Sequence, residues 1–206
     1  MFGGLARRPE VTKDGYAMVV CHELAHHMGG FPVKHPSYWA SAEGQSDYWA
    51  TQTCARKAWK DEADINASFR DTVDPVAKAK CDEVWGQTAQ QDLCYRVSMA
   101  GQSLGNLLAV LGRSPEPSFA TPDQNVVTRT NMNHPKAQCR LDTYFYGALC
   151  KLNHRGNFIP GKHHPQGQLS KAAEHESAGN SCYTVDQYSE GFRPACWFKP
   201  TLSPAL

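Results

Sequence analysis

The chain has 206 residues, 21 Lys+Arg against 20 Asp+Glu, and a formal net charge of +1. Charges of both signs are dispersed, so nothing points to nucleic acid or to an anionic membrane surface as a partner. No apolar run approaches the roughly 18 residues of a membrane span, and the length suits one domain with a sizeable core.

Eight cysteines stand in the sequence without a CxxC pair: Cys21, Cys54, Cys81, Cys94, Cys139, Cys150, Cys182 and Cys196. That number predicts four disulfides formed in an oxidising compartment, the periplasm or the cell exterior. The first residues, MFGGLARRP, do not read as a secretory signal, so an export signal is expected upstream of Met1. Cys139 and Cys150, if on one helix, are about 16 Å apart along its axis and cannot bond. The nearest partners in sequence, Cys81 with Cys94 and Cys182 with Cys196, are the expected pairs among the rest.

In chain order, residues 2–8 read as a short strand before Pro9, either an edge that could pair with an extended substrate or a frayed end. A helix follows over 14–30, capped by Thr12 or Asp14 and stopped by Gly29, Gly30 and Pro32. Its apolar stripe is Ala17, Val20, Cys21, Leu24 and Met28, which predicts a buried helix. A second helix is expected over 41–58, and another after Asp74-Pro75. The clearest later helix covers 88–111 and ends at Gly112. Residues 114–133 form a long proline-containing loop, a length often associated with function. A helix over 135–152, with Pro135 as its first residue, carries the core aromatics Tyr144, Phe145 and Tyr146. Beyond Asn153 the sequence is rich in Gly, Pro and His. The expectation is a mainly α fold with a small, truncated β-sheet that upstream residues would complete, stapled by disulfides.

The chemistry gathers on the first long helix. His22-Glu23-Leu24-Ala25-His26 has the HExxH spacing, which stacks two imidazoles on one helix face where they can share a metal ion. A hydrolytic zinc site needs three protein ligands and an open position. Glu23 lies where it can take a proton from water. Glu43 is the candidate third ligand, and Asp47, one turn further on, is placed to hold the tautomer of a ligating histidine. His27 pairs by spacing with Glu23, not with His22, and reads as a surface residue or an outer support rather than a ligand. His35, His154, His163, His164 and His175 sit in polar or Gly/Pro-rich sequence and read as solvated.

HELAHH at 22–27 followed by AEGQSDYWA at 42–50 resembles the gluzincins, zinc peptidases with a glutamate third ligand. HPKAQCR at 134–140 is similar to the HPxxxxR segment of the HtpX and CAAX-prenyl-protease type of family within them. The resemblance implies one Zn2+ per chain on His22, His26 and Glu43, with Glu23 as general base and a zinc-bound water as nucleophile. It further implies that Asp47 supports a ligand, that His134 stabilises the oxyanion and that Arg140 anchors the segment. The expected protein is a gluzincin-like metallopeptidase domain over 1–206, with a catalytic core at 1–152 and an irregular, disulfide-anchored extension at 153–206. Its expected partner is a peptide or protein substrate. The alternative is a zinc-stabilised binding or chaperone-like module with weak or no turnover. Hydrolysis of a non-peptide amide is a third possibility.

Overall fold

The computed structural model describes residues 3–34, 39–152, 159–161, 165–167, 170–183 and 187–200. Its helices are α1 (Lys13–Met28), α2 (Glu43–Trp49), α3 (Arg56–Trp59), α4 (Ala63–Ala67), α5 (Pro75–Val84), α6 (Thr88–Gly112), α7 (Ala137–Leu149) and α8 (Lys171–Ala178). A π-helical segment, Ala50–Ala55, joins α2 to α3, so the second expected helix runs on without a break but contains wider turns. Pro75 at the start of α5 needs no amide partner, and Asp74 caps that end by accepting from the amides of Val76 and Ala77. Thr12 caps α1 through the Gly15 amide, which leaves Asp14 free for another task.

α6, the longest element, packs against α7 and α1, and α2 packs against both α1 and α7. Close approach explains two glycines. A Cβ on Gly101 of α6 would lie 2.6 Å from Tyr144 Cβ, and one on Gly147 of α7 would lie 2.6 Å from the Tyr48 carbonyl oxygen. Helix α7 is therefore pressed between α6 and α2. Met18, Trp59, Tyr95, Leu104, Leu141, Tyr144 and Leu149 are among the buried residues that fill the core.

The expected β-sheet is absent among the described residues. Among the described residues the only pairings are two isolated bridges, Val33 with Ser41 and Cys182 with Phe192. Residues 5–7 form a 3-10 turn instead of a strand, because their amides and carbonyls close on each other locally; Phe2 lies outside the described residues. Helix α7 starts at Ala137 rather than Pro135. The C-terminal segment, read as irregular, contains α8, which Ser170 caps.

All eight cysteines are paired: Cys21–Cys54, Cys81–Cys94, Cys139–Cys196 and Cys150–Cys182. The Cys81–Cys94 expectation holds, as does the exclusion of Cys139–Cys150. Cys182 and Cys196 do not bond to each other. They reach opposite ends of α7, so the segment between them spans the length of that helix, and proximity in sequence misleads.

The buried face of α1 also differs from expectation. Met18, Cys21, His22 and Ala25 are buried, whereas Val20, Leu24 and Met28 are exposed. Packing follows the side that carries His22, where α2 and α6 lie, and leaves the larger apolar residues outside. Among the described residues no helix is long and apolar enough to cross a membrane.

Candidate metal centre

α1 presents His22 and His26, and the first turn of α2 presents Glu43. One ligand atom from each lies within 4.8 Å of the other two. Glu43 Oε2 stands 3.4 Å from His22 Nε2 and 3.7 Å from His26 Nε2. Oε2 is buried and makes no hydrogen bond, while Lys34 Nζ donates to the other oxygen, Oε1, at 2.6 Å. Lys34 therefore turns the carboxylate so that a single oxygen faces the imidazoles.

The tautomers are set from behind. His22 Nδ1 is 2.8 Å from Asp47 Oδ1, and His26 Nδ1 is 2.9 Å from the Ser41 carbonyl oxygen. Both partners are acceptors, so each Nδ1 carries the proton and each Nε2 points a lone pair towards Glu43 Oε2. Ser46 Oγ, 3.0 Å from His26 Nδ1, adds a second contact to that ring. Two lone pairs and an orphaned carboxylate oxygen at these separations repel one another unless a cation stands among them. The donor set, two imidazoles and one carboxylate, is one that zinc favours.

Asp47 is held in turn. Arg140 of α7 donates through Nε and Nη2 to its two oxygens, both at 2.7 Å, and Nη2 lies 3.5 Å from the Tyr144 hydroxyl. Burial would push the Asp47 carboxyl up, but the guanidinium outweighs it and holds the group below the usual range. Burial likewise works against a charged His22, and the Asp47 carboxylate more than reverses that, raising its pKa. His26, with no carboxylate behind it, is lowered by burial. Burial opposes charge on Glu43 too, but contacts from His22 and Lys34 outweigh it and hold the carboxyl well down.

Of the residues singled out in the sequence, His22, His26, Glu43, Asp47 and Arg140 form one connected cluster. Glu23 is exposed on α1, one residue past His22. His134 reaches the cluster from the loop before α7, with Nε2 3.3 Å from Glu43 Oε2, but it lies outside the tight group of ligand atoms. His27 is exposed and rests against the Trp39 ring, 4.7 Å between centroids. His175 is exposed, and His35, His154, His163 and His164 lie outside the described residues.

Sequence reasoning missed Lys34, the Ser41 carbonyl, Ser46 and Trp197. Trp197 is fully buried with its ring over Gly44, where any Cβ would collide with it, so the C-terminal segment backs the turn that carries Glu43. Asp123, Cys139 and Cys196 also converge, yet the two sulfurs are bonded to each other and offer no thiolate to a metal. Comparison with protein-family models, curated proteins and solved structures finds no match.

Proposed function

We propose that the chain binds one zinc ion through His22, His26 and Glu43, as a disulfide-stapled helical module of the periplasm or the cell exterior. The observation that carries this is Glu43 Oε2, buried, without a hydrogen bond, and faced by imidazole nitrogens whose lone pairs are turned towards it. The four disulfides support the oxidising compartment. In this reading residues 1–152 hold the metal and 153–206 brace them as part of one domain. Metal analysis of the protein as isolated should give about one zinc per chain. His22→Ala and Glu43→Ala should each lose most of it, and full retention in both would move the site elsewhere.

Two uses of the ion are supported by different observations. Among the described residues no strand borders the centre, and an extended peptide is commonly aligned by a strand edge. That favours a zinc-stabilised binding or chaperone-like module with weak or no turnover, and it is the reading these observations carry further. Glu23 favours hydrolysis, the activity of the gluzincins that the chain resembles, since a purely structural ion has no need of an exposed carboxylate beside its ligands. Bound zinc lowers the pKa of a coordinated water towards about 7 and polarises a carbonyl. Glu23 would then accept a proton and return it to the leaving amine, and His134 would donate to the developing oxyanion. A cavity of about 360 Å³, lined by Leu108, Leu111, Ser114 and His134 among others, is open to a substrate side chain. A broad peptide-library digest of wild type and Glu23→Gln, both zinc-loaded, separates the two. Cleavage by wild type alone establishes a peptidase. No cleavage by either leaves the binding module.

A further inference from the structure

We propose that His134 is a fourth, exchangeable protein ligand of the same ion, so that the chain itself can close the coordination position on which hydrolysis would depend. The proposal rests on the zinc reading above. In a tetrahedral site with bonds of about 2.1 Å, ligand atoms stand roughly 3.4 Å apart. Glu43 Oε2 has His134 Nε2 at 3.3 Å, His22 Nε2 at 3.4 Å and His26 Nε2 at 3.7 Å. The His134 contact is not a hydrogen bond, because Oε2 accepts none. A third imidazole thus approaches the orphaned oxygen at the edge length of a coordination tetrahedron.

His134 differs from the other two histidines in how it is held. Asp47 fixes Nδ1 of His22, and the Ser41 carbonyl fixes Nδ1 of His26. Among the described residues no group bonds Nδ1 of His134, and its side chain is 68% exposed. It stands between the long loop and α7, so a rotation about its own side-chain bonds can bring it in or take it out. As it stands, its Nε2 reaches Glu43 Oε2 but not the group of atoms within 4.8 Å of one another, so ligation needs a further turn of the ring towards the two imidazoles. An imidazole with no orienting partner is the weaker ligand and the first to leave. With His134 bound the ion has four protein ligands, the closed arrangement of structural zinc; with it released, three ligands and an open position remain.

X-ray absorption of the zinc-loaded full chain tests this without reference to activity. Outer-shell scattering should count three imidazoles in wild type and two in His134→Ala. Competition with a chromophoric chelator should show zinc bound at least roughly tenfold more weakly by the variant, since loss of a ligand should cost no less than loss of a ligand's outer partner. Acetohydroxamate should bind the zinc-loaded variant more tightly than wild type, because it no longer has to displace a protein ligand. Two imidazoles in wild type, or an unchanged zinc affinity in the variant, would overturn the proposal and leave the three-ligand centre standing. Absence of zinc from wild type would overturn the centre itself. The exposed position of His134 makes its removal tolerable to the fold, and the wild-type spectrum decides the matter on its own if the variant fails to accumulate.

Discussion

Two carboxylates at α7, Asp47 facing it from α2 and Asp142 on the helix itself, are almost equally buried, with no exposure and 5%, yet they are opposite in character. Asp47, reached from the inner side of α7, receives both arms of Arg140 and stays ionised with its remaining capacity on His22. Asp142, on the side beneath the long loop, is bonded by the Asp123 amide at 2.7 Å and by Gln138 Nε2 at 2.8 Å, both neutral donors. Burial pushes its carboxyl up to about 6. Burial alone therefore does not decide what a carboxylate can do. A cation on one side makes it a firm acceptor for an imidazole on the other, while amides hold it in place and leave it close to protonation.

The largest effect should come from breaking the inner arrangement. Arg140→Met keeps most of the packing but leaves Asp47 as a buried charge without its cation, and should cost about 3–5 kcal/mol in denaturant titration of the metal-free protein. A loss below about 1 kcal/mol would mean that His22 alone can satisfy Asp47. Next in size is the staple on the same helix. Replacing Cys139 and Cys196 with serine opens a loop closed over 57 residues and should cost about 2–4 kcal/mol. Because Trp197 neighbours Cys196 and covers Gly44, that variant should also bind zinc somewhat less tightly.

The comparison is sharpened by one substitution made at both sites. Asp47→Asn keeps an oxygen for either Arg140 or His22 but not the charge that serves both, so zinc affinity should fall about 10–100-fold. Asp142→Asn should leave zinc affinity unchanged, since that side chain touches neither a ligand nor Arg140. Chelator competition measures both, and equal losses in the two variants would remove the distinction drawn here.

What the sequence shows of this centre is what local spacing can carry. HExxH and ExxxD each put two side chains on one face of a helix, and α1 and α2 place them as those spacings require. The HPxxxxR resemblance gives Arg140 an anchoring role, and the guanidinium stands on Asp47. The Ser41 carbonyl has no signature because it is backbone, and Lys34 sits in a short connection with no periodicity. The misread face of α1 has a physical cause: residue type alone favours the apolar stripe, whereas the helix turns His22 and His26 towards α2 and leaves Val20, Leu24 and Met28 outside. The expected sheet rests on one short strand over 2–8 and on a partner from upstream residues, and seven residues are too few to hold a strand alone; the described part of that stretch closes into a 3-10 turn. The tail was opaque for a different reason, since its path along α7 is fixed by Cys150–Cys182 at one end and Cys139–Cys196 at the other.

The smallest expected effect tests the outer carboxylate by pH. Asp142 has a folded-state pKa of about 6, raised by burial, against the ordinary aspartate value near 3.8. Between those two values the native protein keeps a proton that the unfolded chain has already released. The native state then binds more protons, so this group's contribution to stability falls as pH rises from about 4 to about 6, and levels off above. Two whole units would correspond to roughly 3 kcal/mol as an upper bound, and the expected change is about 1–2 kcal/mol. Asp142→Asn cannot ionise. Its amide also meets Gln138 Nε2, which cannot turn over because that same amide group already bonds Ser118 on both its oxygen and its nitrogen. The variant therefore carries a constant offset, and only the pH dependence of the difference matters. Urea titrations of both metal-free proteins at pH 4, 5, 6 and 7 should show the advantage of wild type over Asp142→Asn shrinking by about 1–2 kcal/mol across that range. A difference that stays flat, or grows with pH, would mean that the two neutral donors stabilise the ionised carboxylate as well as Arg140 stabilises Asp47.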